Sequence, residues 1–394
     1  MTIILFDDLS RDSLLPLTFT RPVAALRLGI LTIAEKWQHR LRADASFLTE
    51  GYLKEKFPAI ISDSNIFING SVCPDDSLME AIDNLAEGEA LSASNLLLAV
   101  KLNGTAAREF DYQQTHNYKV VDYSKAFTKI NFPENIFMFN DSELRKDFDL
   151  ITRGRISARL NSTNTLLGEN IFIEEGVEAD CSTFNTKAGP IYLGRNSQVW
   201  EGCHIRGSFA LCNDSQLKMG AKIYGMTTIG PYSRVGGEIN NSMVTGYSSK
   251  GHEGYLGNSV LGEWCNIGAD SNNSNLKNNY AEVKLWDYRK ENFRQTGLQF
   301  CGLIMADHAK CAINTMFNTG TVIGVSANVF GSGFPRNFIP DFAWGGPHGF
   351  DTYSLTKMFE TAEKVYERRN ETFNDVERNI MSEIFQLTSK HRKF

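Results

Sequence analysis

The middle of the chain carries an apolar residue at every sixth position. A helical period of 3.6 residues would scatter these side chains around the helix axis, and an ordinary sheet would need reversing turns. A coil of about three hexads per turn places all of them inside, and the glycines beside them let the backbone turn each corner. The pattern predicts a hexapeptide-repeat parallel β-helix from about Leu167 to about Val329. The uninterrupted members of the series are Leu193, Val199, Ile205, Leu211, Leu217, Ile223, Ile229 and Val235.

This period is interrupted twice. It falters near Asn240 and is absent between Asn275 and Cys301, a stretch rich in Asn, Lys and Arg that we predict to leave the coils. Between and after these breaks the series continues with Val244, Lys250, Leu256, Leu261 and Ile267, and then with Cys311, Phe317, Ile323 and Val329.

The regions on either side of the repeat have other patterns. Short apolar runs alternate with a helix-like stretch up to about Arg155, which is typical of an α/β domain. After Gly345, apolar residues recur at helical spacing among charges, which predicts a tail of one or two amphipathic helices. We therefore predict an α/β domain at 1–155, a β-helix at 156–345 with an inserted loop at 276–300, and a helical extension at 346–394. The predicted N-terminal elements are strands at Thr2 to Phe6, Ala59 to Phe67 and Leu96 to Leu102, and a helix at Leu78 to Leu85 capped by Asp76 or Ser77.

Composition narrows the possible partners. A formal net charge of −6 and a pI near 5.7 give no general attraction to nucleic acid or to an anionic membrane. The seven cysteines are scattered without a CxxC pair, so we expect free thiols in a reducing cytoplasm. No basic, apolar leader and no apolar run of about 20 residues is found, so we expect neither a signal peptide nor a membrane span.

The densest polar run of the repeat region surrounds His252. A histidine can take a proton from an attacking amine, and neighbouring amides and hydroxyls can hold a sugar and a thioester carbonyl. Without further evidence, a lone histidine such as His252 is more often structural than catalytic. The run comprises residues 248–257, Asn266 to Gly268 and Asn272 to Asn275.

This region resembles the acetyltransferase half of the GlmU-like family, whose members are bifunctional glucosamine-1-phosphate acetyltransferases and uridylyltransferases. The resemblance lies in residues 251–257, Gly-His-Glu-Gly-Tyr-Leu-Gly, and in Asn266 and Asn275. The resemblance implies a left-handed β-helix that packs as a homotrimer, acetyl-CoA or another acyl-CoA as co-substrate, and a cytoplasmic role in making precursors of cell envelope polysaccharide. It implies that His252 is the general base, that Tyr255 and Asn266 bind the amino sugar, and that Asn275 lies where sugar and acetyl-CoA meet.

The sequence departs from this family pattern in the substrate-phosphate region. The tyrosine that follows the last asparagine in the family is Leu276 here, and a basic family position is Asn240. Lys250, Arg234 and Lys222 are local cations that could replace it or could be solvated surface charges. Residues 304–314 resemble the archaeal branch of the family near its acyl-CoA site. That resemblance makes Lys310 a candidate cofactor contact, and His308 structural or adjacent to CoA.

The N-terminal region resembles sugar-1-phosphate nucleotidylyltransferases over Ser13 to Val23 and Phe67 to Val72. Their reaction needs glycine amides around a triphosphate, a cation near the reacting phosphates and a carboxylate for Mg²⁺. Here residues 7–12 replace the glycine-rich loop, Val23 stands at the lysine position, and Ser71 replaces the aspartate. Candidate nucleotide contacts are Arg11, Arg21 and Arg27, and Mg²⁺ is expected only if this domain is active.

Three hypotheses follow from these residues. The first is an acyltransferase acting on the amine of a sugar phosphate or nucleotide sugar. The second is a nucleotidyltransferase that uses the N-terminal domain, and the third is a non-catalytic sugar-nucleotide-binding protein. A zinc site is least expected because the repeat region offers only His204, His252 and His308, which are far apart in sequence.

Overall fold

The computed structural model describes residues 2–394. The chain divides into two compact units. The first comprises residues up to Leu14, Thr18–Leu26 and Leu31–Phe132, and the second comprises Leu15–Leu17, Arg27–Ile30 and Pro133–Phe394. The predicted fold class, an α/β domain followed by a left-handed parallel β-helix and a helical tail, is confirmed. The three-way division made from the sequence stays a prediction; in the structure, residues 133–155 pack with the β-helix unit.

The first unit is built on a six-stranded sheet of order β2-β1-β3-β5-β4-β6. Strands β1, β2 and β3 run parallel, so their carboxyl ends meet at one edge. The predicted helix is present but begins after Asp75, whose carboxylate accepts from the amide of Leu78 at 2.8 Å, so the cap lies before both predicted residues. The elements are β1 Thr2–Phe6, α1 Ser10–Ser13, α2 Ile33–Leu41, β2 Ala45–Leu48, β3 Ser64–Asn69, α3 Asp76–Asp83, β4 Glu89–Ala93, β5 Leu96–Asn103, α4 Gly104–Arg108 and β6 Lys119–Asp122.

The second unit begins with the long helix α5, Glu134–Thr152, and continues into the coils. Strands of two to four residues are separated by corners, as a six-residue repeat requires. The coil strands up to the excursion are β7 Thr165–Leu167, β8 Ile171–Ile173, β9 Glu178–Ala179, β10 Thr183–Asn185, β11 Ile191–Leu193, β12 Gln198–Val199, β13 His204–Arg206, β14 Phe209–Leu211, β15 Gln216–Leu217, β16 Lys222–Tyr224, β17 Thr227–Ile229, β18 Arg234–Val235, β19 Glu238–Asn240, β20 Met243–Gly246, β21 Ser249–Lys250, β22 Tyr255–Gly257, β23 Val260–Glu263, β24 Asn266–Ile267 and β25 Asn272–Asn273.

The remaining strands complete the coils and the excursion. Residues 276–300 contain an antiparallel hairpin of β26 and β27. These strands are β26 Lys284–Asp287, β27 Asn292–Gln295, β28 Leu303–Met305, β29 Lys310–Cys311, β30 Met316–Phe317, β31 Thr321–Ile323, β32 Asn328–Val329, β33 Phe338–Ile339, β34 Ala343–Gly346 and β35 Gly349–Thr352.

Successive coils stack so that up to β24 every third strand joins the same parallel sheet, while β25 pairs with β30 in a separate sheet and β35 is antiparallel to β34. The first sheet runs from β7 to β22, the second from β8 to β33, and the third from β9 to β35. All eight residues of the unbroken hexad series are buried in one core between the three sheets, as the spacing predicted. Alternate residues of each short strand therefore face outward, where a ligand can reach them.

The corner between the second and third sheets carries a column of aromatic residues. Tyr232, Tyr247, Trp264 and His308 have φ between 52° and 61°, a conformation that L-residues adopt at some cost. Their rings stack from coil to coil, and Tyr366 of helix α6 stacks on Trp264 with ring centroids 3.8 Å apart. The predicted helical tail thus docks on the coils through this column, as α6 Leu355–Glu367 and α7 Asp375–Leu387.

None of the helices in residues 2–394 combines the length and apolar character that a membrane crossing needs. All seven cysteines are free, and only Cys181 is exposed.

Candidate active site

His252 lies in the turn of residues 251–254, which joins the third sheet at β21 to the first sheet at β22. We call this segment the histidine turn. The imidazole is exposed, and so is the neighbouring Glu253. An exposed imidazole at a corner is open to a ligand approaching either adjacent sheet.

Several contacts hold the histidine turn in place. The Glu253 carboxylate pairs with the Lys222 ammonium at 3.2 Å, and the Glu253 carbonyl accepts from the amide of Asp270 at 2.9 Å. Gly254 has a φ of +120°, and a Cβ at this position would lie 2.1 Å from the carbonyl oxygen of Ser271. The turn is thus attached to the coils on both sides, which presents His252 from a fixed backbone.

Tyr255 and Asn275, predicted to contact substrate, lie together. Tyr255 is in β22 of the first sheet, and Asn275 follows β25, which pairs with β30 in a separate two-stranded sheet. The Asn275 amide donates to the Tyr255 hydroxyl at 3.0 Å and to the Asn258 side-chain oxygen at 2.8 Å. The Asn240 amide lies 3.5 Å from the same hydroxyl. These four side chains, which we call the tyrosine–asparagine cluster, offer donors and acceptors suited to a sugar.

A carboxylate extends the cluster toward the preceding coil. Glu238 is the strand neighbour of Tyr255 and accepts a hydrogen bond of 2.5 Å from the Tyr224 hydroxyl. Burial, with a further contribution from Glu238, raises the pKa of Tyr224. Tyr224 therefore stays a neutral donor that orients the carboxylate.

The other predicted binding residues lie on the third sheet, around the corner from Tyr255. Arg234 and Asn266 are both exposed and flank Ser249 in strand register, and Lys310 follows Asn266 in the next coil. The Lys310 ammonium donates to the carbonyl of His308 at 2.8 Å, and burial lowers its pKa to about 8. His308 itself is buried in the aromatic column, which fits its predicted structural role.

Lys250 is only 2 % exposed, which differs from the substrate-facing position expected from the sequence. It occupies the inward position that Val235 occupies one coil earlier. Its ammonium donates to the carbonyls of Gly236 and His252 at 3.0 and 2.9 Å, and burial lowers its pKa to about 8. Because its side chain points into the core, it is not placed to bind a substrate phosphate.

The carboxyl edge of the first unit's sheet carries a separate cavity of about 260 Å³. Arg11 is the one basic residue among its lining residues, which include five carboxylates: Asp7, Asp8, Asp12, Glu50 and Asp111. Burial raises the pKa of Asp7 to about 6, against the opposing charge of Arg11. Burial would also raise the pKa of Asp8, but the Lys129 ammonium at 3.2 Å and hydrogen bonds from Asn69 and Ser10 hold it below its ordinary value.

Two carboxylates of the segment that replaces the glycine-rich loop accept from backbone amides, one inside the segment and one outside it. Asp8 accepts from the Ser10 amide at 2.9 Å, and Asp7 accepts from the Val23 amide at 2.8 Å. Asp8 therefore takes an amide of the segment that a glycine-rich loop would offer to phosphates. The Ser71 hydroxyl donates to the Asn69 side chain and brings no carboxylate. Among residues 2–394 no group of three or more acidic, histidine or cysteine side chains is arranged to hold a metal ion.

The candidate nucleotide-binding arginines are buried within the protein. The Arg11 guanidinium donates to the carbonyl of Thr18 at 2.7 Å and to the Tyr52 hydroxyl at 3.0 Å, and pairs with Asp7 at 3.3 Å. Arg21 is 7 % exposed, and Arg27 is 8 % exposed with its Nε directed at the carbonyl of Thr245. As ligand contacts, all three stay predictions.

Asn258 is the cluster residue that sequence reasoning did not single out. A signal for it was present, because Asn241, Asn258 and Asn275 follow one another at intervals of 17 residues, close to one coil. Asn241 and Asn258 adopt left-handed backbone conformations with φ of 45° and 48°, which asparagine accepts more readily than most residues.

Comparison with known proteins identifies relatives for part of the chain. Residues 3–156 match the family model described as "Sugar nucleotidyl transferase". The bifunctional protein GlmU from two strains of Thermus thermophilus is 28 % identical over 145 residues, covering 30 % of this chain and 31 % of the relative. The chain thus spans under a third of the curated relatives it matches.

Two solved structures are similar over more of the chain but with low scores. A UDP-N-acetylglucosamine acyltransferase from Campylobacter jejuni is 12 % identical, covering 59 % of this chain and 83 % of that one at a TM-score of 0.27. A mutant form of AntD, an N-acyltransferase from Bacillus cereus in complex with dTDP and coenzyme A, is 12 % identical, covering 54 % and 100 % at a TM-score of 0.23. At such scores these likenesses carry no argument about function.

Proposed function

We propose that the chain is an acyltransferase, which is supported by the resemblance of residues 251–257, Asn266 and Asn275 to the acetyltransferase half of the GlmU-like family. It moves an acyl group, acetyl in the simplest case, from an acyl-CoA to the amine of an amino-sugar 1-phosphate or a nucleotide sugar. The observation that carries this proposal is the exposed His252 on a fixed turn beside the tyrosine–asparagine cluster. The acetyl donor and the acceptor class come from the resemblance.

In the proposed reaction the substrate amine attacks the thioester carbonyl, so a C–N bond forms and the C–S bond breaks. His252 takes the proton from the amine and returns it to the departing CoA thiolate, which leaves an amide and free CoA. Tyr255 and Asn275 hold the sugar.

The arrangement of the predicted contacts favours a site shared between copies. Tyr255 lies in the first sheet and Asn275 hydrogen-bonds to it from just beyond β25, whereas Arg234, Asn266 and Lys310 lie on the third sheet. In a coil with three faces these two groups of residues face different directions, so a neighbouring copy can bring the second group to the first. We propose a homotrimer in which the first sheet of one copy faces the third sheet of the next.

The test is CoA release by the full chain from acetyl-CoA, or a longer acyl-CoA, with a panel of amino-sugar phosphates and nucleotide amino sugars. Replacing His252→Ala should lower turnover by about 100-fold to 10,000-fold, the usual share of general base catalysis. His204→Ala is the matched control, since His204 is another exposed histidine of the coils and lies in strand β13 of the first sheet. Undiminished turnover in His252→Ala would overturn the assignment, and so would no CoA release by the wild type with any acceptor.

The alternative of nucleotidyl transfer is less favoured. The carboxylates that line the first unit's cavity would repel a nucleoside triphosphate, and Asp8 occupies the Ser10 amide of the segment that stands in place of the phosphate-binding loop. Pyrophosphate release from a nucleoside triphosphate and a sugar 1-phosphate would restore this alternative. The third hypothesis, a non-catalytic binding protein, predicts that the chain binds sugar nucleotides but shows no turnover.

A further inference from the structure

The inward positions of the third sheet are apolar with one exception. Leu217, Val235, Ile267 and Cys311 fill this column in the coils around Lys250, and all are buried. A lysine ammonium in such a column loses its hydration and is costly unless it is hydrogen-bonded. The Lys250 ammonium meets this need by donating to two backbone carbonyls, those of Gly236 and His252.

Gly236 belongs to the corner one coil before the histidine turn, and this corner is unusually short. Six residues separate Leu217 from Ile223, and six separate Lys250 from Leu256, but only four separate Val235 from Ile239. The strand register is nevertheless kept, because Ile239 pairs with Ile223 on one side and with Leu256 on the other. The corner between Val235 and Ile239 is therefore two residues shorter than the corresponding corners of the neighbouring coils.

The histidine turn and the Lys250 ammonium lie against this shortened corner. A Cβ on Gly237 would lie 2.8 Å from the carbonyl oxygen of His252, 2.8 Å from that of Gly254 and 2.9 Å from the Lys250 nitrogen. The ammonium joins the Gly236 carbonyl of the shortened corner to the His252 carbonyl of the turn, at 3.0 and 2.9 Å. Buried carbonyls need donors, and the lysine supplies one to each.

We propose that Lys250 is a positioning residue, which fixes the backbone of His252 from inside the coil and so sets the direction of the exposed imidazole. Its catalytic consequence rests on the acyltransferase function proposed above, but the positioning itself does not. The lysine acts through the turn and touches neither substrate nor CoA.

The test is Lys250→Met, which keeps an unbranched side chain of similar length in the core and removes the ammonium. Because a buried charge is replaced by an apolar group, the coils should keep their thermal stability within a few degrees. Hydrogen exchange of the amides of Glu238 and Asp270, which donate to the carbonyls of Gly254 and Glu253 in the turn, should rise at least tenfold. Turnover should fall through kcat, with KM for the acyl-CoA unchanged.

Lys218→Met is the matched control, because Lys218 lies at the preceding corner with its ammonium over the Trp200 ring at 3.6 Å. It should leave exchange at the amides of Glu238 and Asp270 unchanged. Lys250→Gln keeps a side-chain amide group that can donate, so hydrogen exchange in this variant should be intermediate. It also serves as the test if the methionine variant does not fold. Unchanged exchange at the amides of Glu238 and Asp270 in both Lys250 variants would overturn the proposal. Raised exchange in a protein that shows no acyl transfer would support the positioning role and reject the proposed function alone.

Discussion

The phenol ring of Tyr255 lies directly over Gly257. A Cβ on Gly257 would come within 2.2 Å of the Tyr255 hydroxyl oxygen and 2.5 Å of the ring carbon that bears it. Gly257 cannot retreat, because the buried Asn273 side chain accepts from its amide at 3.0 Å and donates to its carbonyl at 3.1 Å. The glycine therefore creates the space in which the tyrosine reaches Asn275.

Gly257→Ala should displace the tyrosine ring and break its hydrogen bond to Asn275. If Tyr255 binds the acceptor, KM for the amino sugar should rise by about threefold to tenfold, the value of one hydrogen bond. Tyr255→Phe, which removes only the hydroxyl, should show a similar rise. Gly51→Ala is the control, since a Cβ at Gly51 meets nothing within 4 Å. An unchanged KM in both variants would remove Tyr255 from the proposed acceptor site.

The coils could be predicted well from the sequence because the apolar residues that form their core recur at a fixed spacing. Each hexad residue faces inward, so a period of six is visible without knowledge of any contact. Lys250 fits the same period, which predicts an inward position for its side chain. Its charge, by contrast, favours a position on the surface. The repeat thus predicts orientation even for a polar residue.

Other features depend on contacts that no local pattern shows. The role of Asp8 as an acceptor for the Ser10 amide depends on the path of the segment that replaces the glycine-rich loop. The meeting of Tyr255 with Asn275 was implied only by the resemblance, because their 20-residue separation spans more than one coil. The ion pair between Glu134 and Arg294 joins residues 160 positions apart and left no signal in the sequence.

That ion pair anchors the inserted hairpin to the start of helix α5. The two guanidinium nitrogens of Arg294 each lie 2.6 Å from an oxygen of Glu134, and both side chains are at most 10 % exposed. Arg294→Ala would leave the Glu134 carboxylate buried without its partner. The free energy of unfolding of the coil unit should fall by about 3 to 5 kcal/mol.

The control for this prediction is Lys390→Ala, which breaks the exposed pair between Lys390 and Glu291 of the same hairpin. It should cost less than about 1 kcal/mol. Urea unfolding followed by circular dichroism measures both variants. Equal midpoints for the two would show that the buried pair contributes no more than a surface pair.

Asp341 makes the stability of the coil unit depend on pH. It is fully buried, and its carboxylate accepts from the amide of Val325 at 2.7 Å and from the Tyr288 hydroxyl at 2.8 Å. Burial raises its pKa from 3.8 to about 6, although these hydrogen bonds and Arg392 oppose the rise. The folded state therefore binds this proton more tightly than the unfolded state does. The resulting stabilisation is complete below the unfolded pKa and is lost as the pH rises through about 6.

Asp341→Asn removes this titration and keeps a side-chain oxygen that can accept from Val325. Between pH 4.5 and pH 7.5 the wild type should lose roughly 2 kcal/mol of unfolding free energy relative to the variant. Asp351→Asn, at an exposed carboxylate of the neighbouring strand β35, should follow the wild type at both pH values. Urea midpoints of the three proteins at the two pH values measure the effect. A constant difference between wild type and Asp341→Asn would mean that Asp341 titrates alike in the folded and unfolded chains, and that its burial is fully offset by Val325, Tyr288 and Arg392.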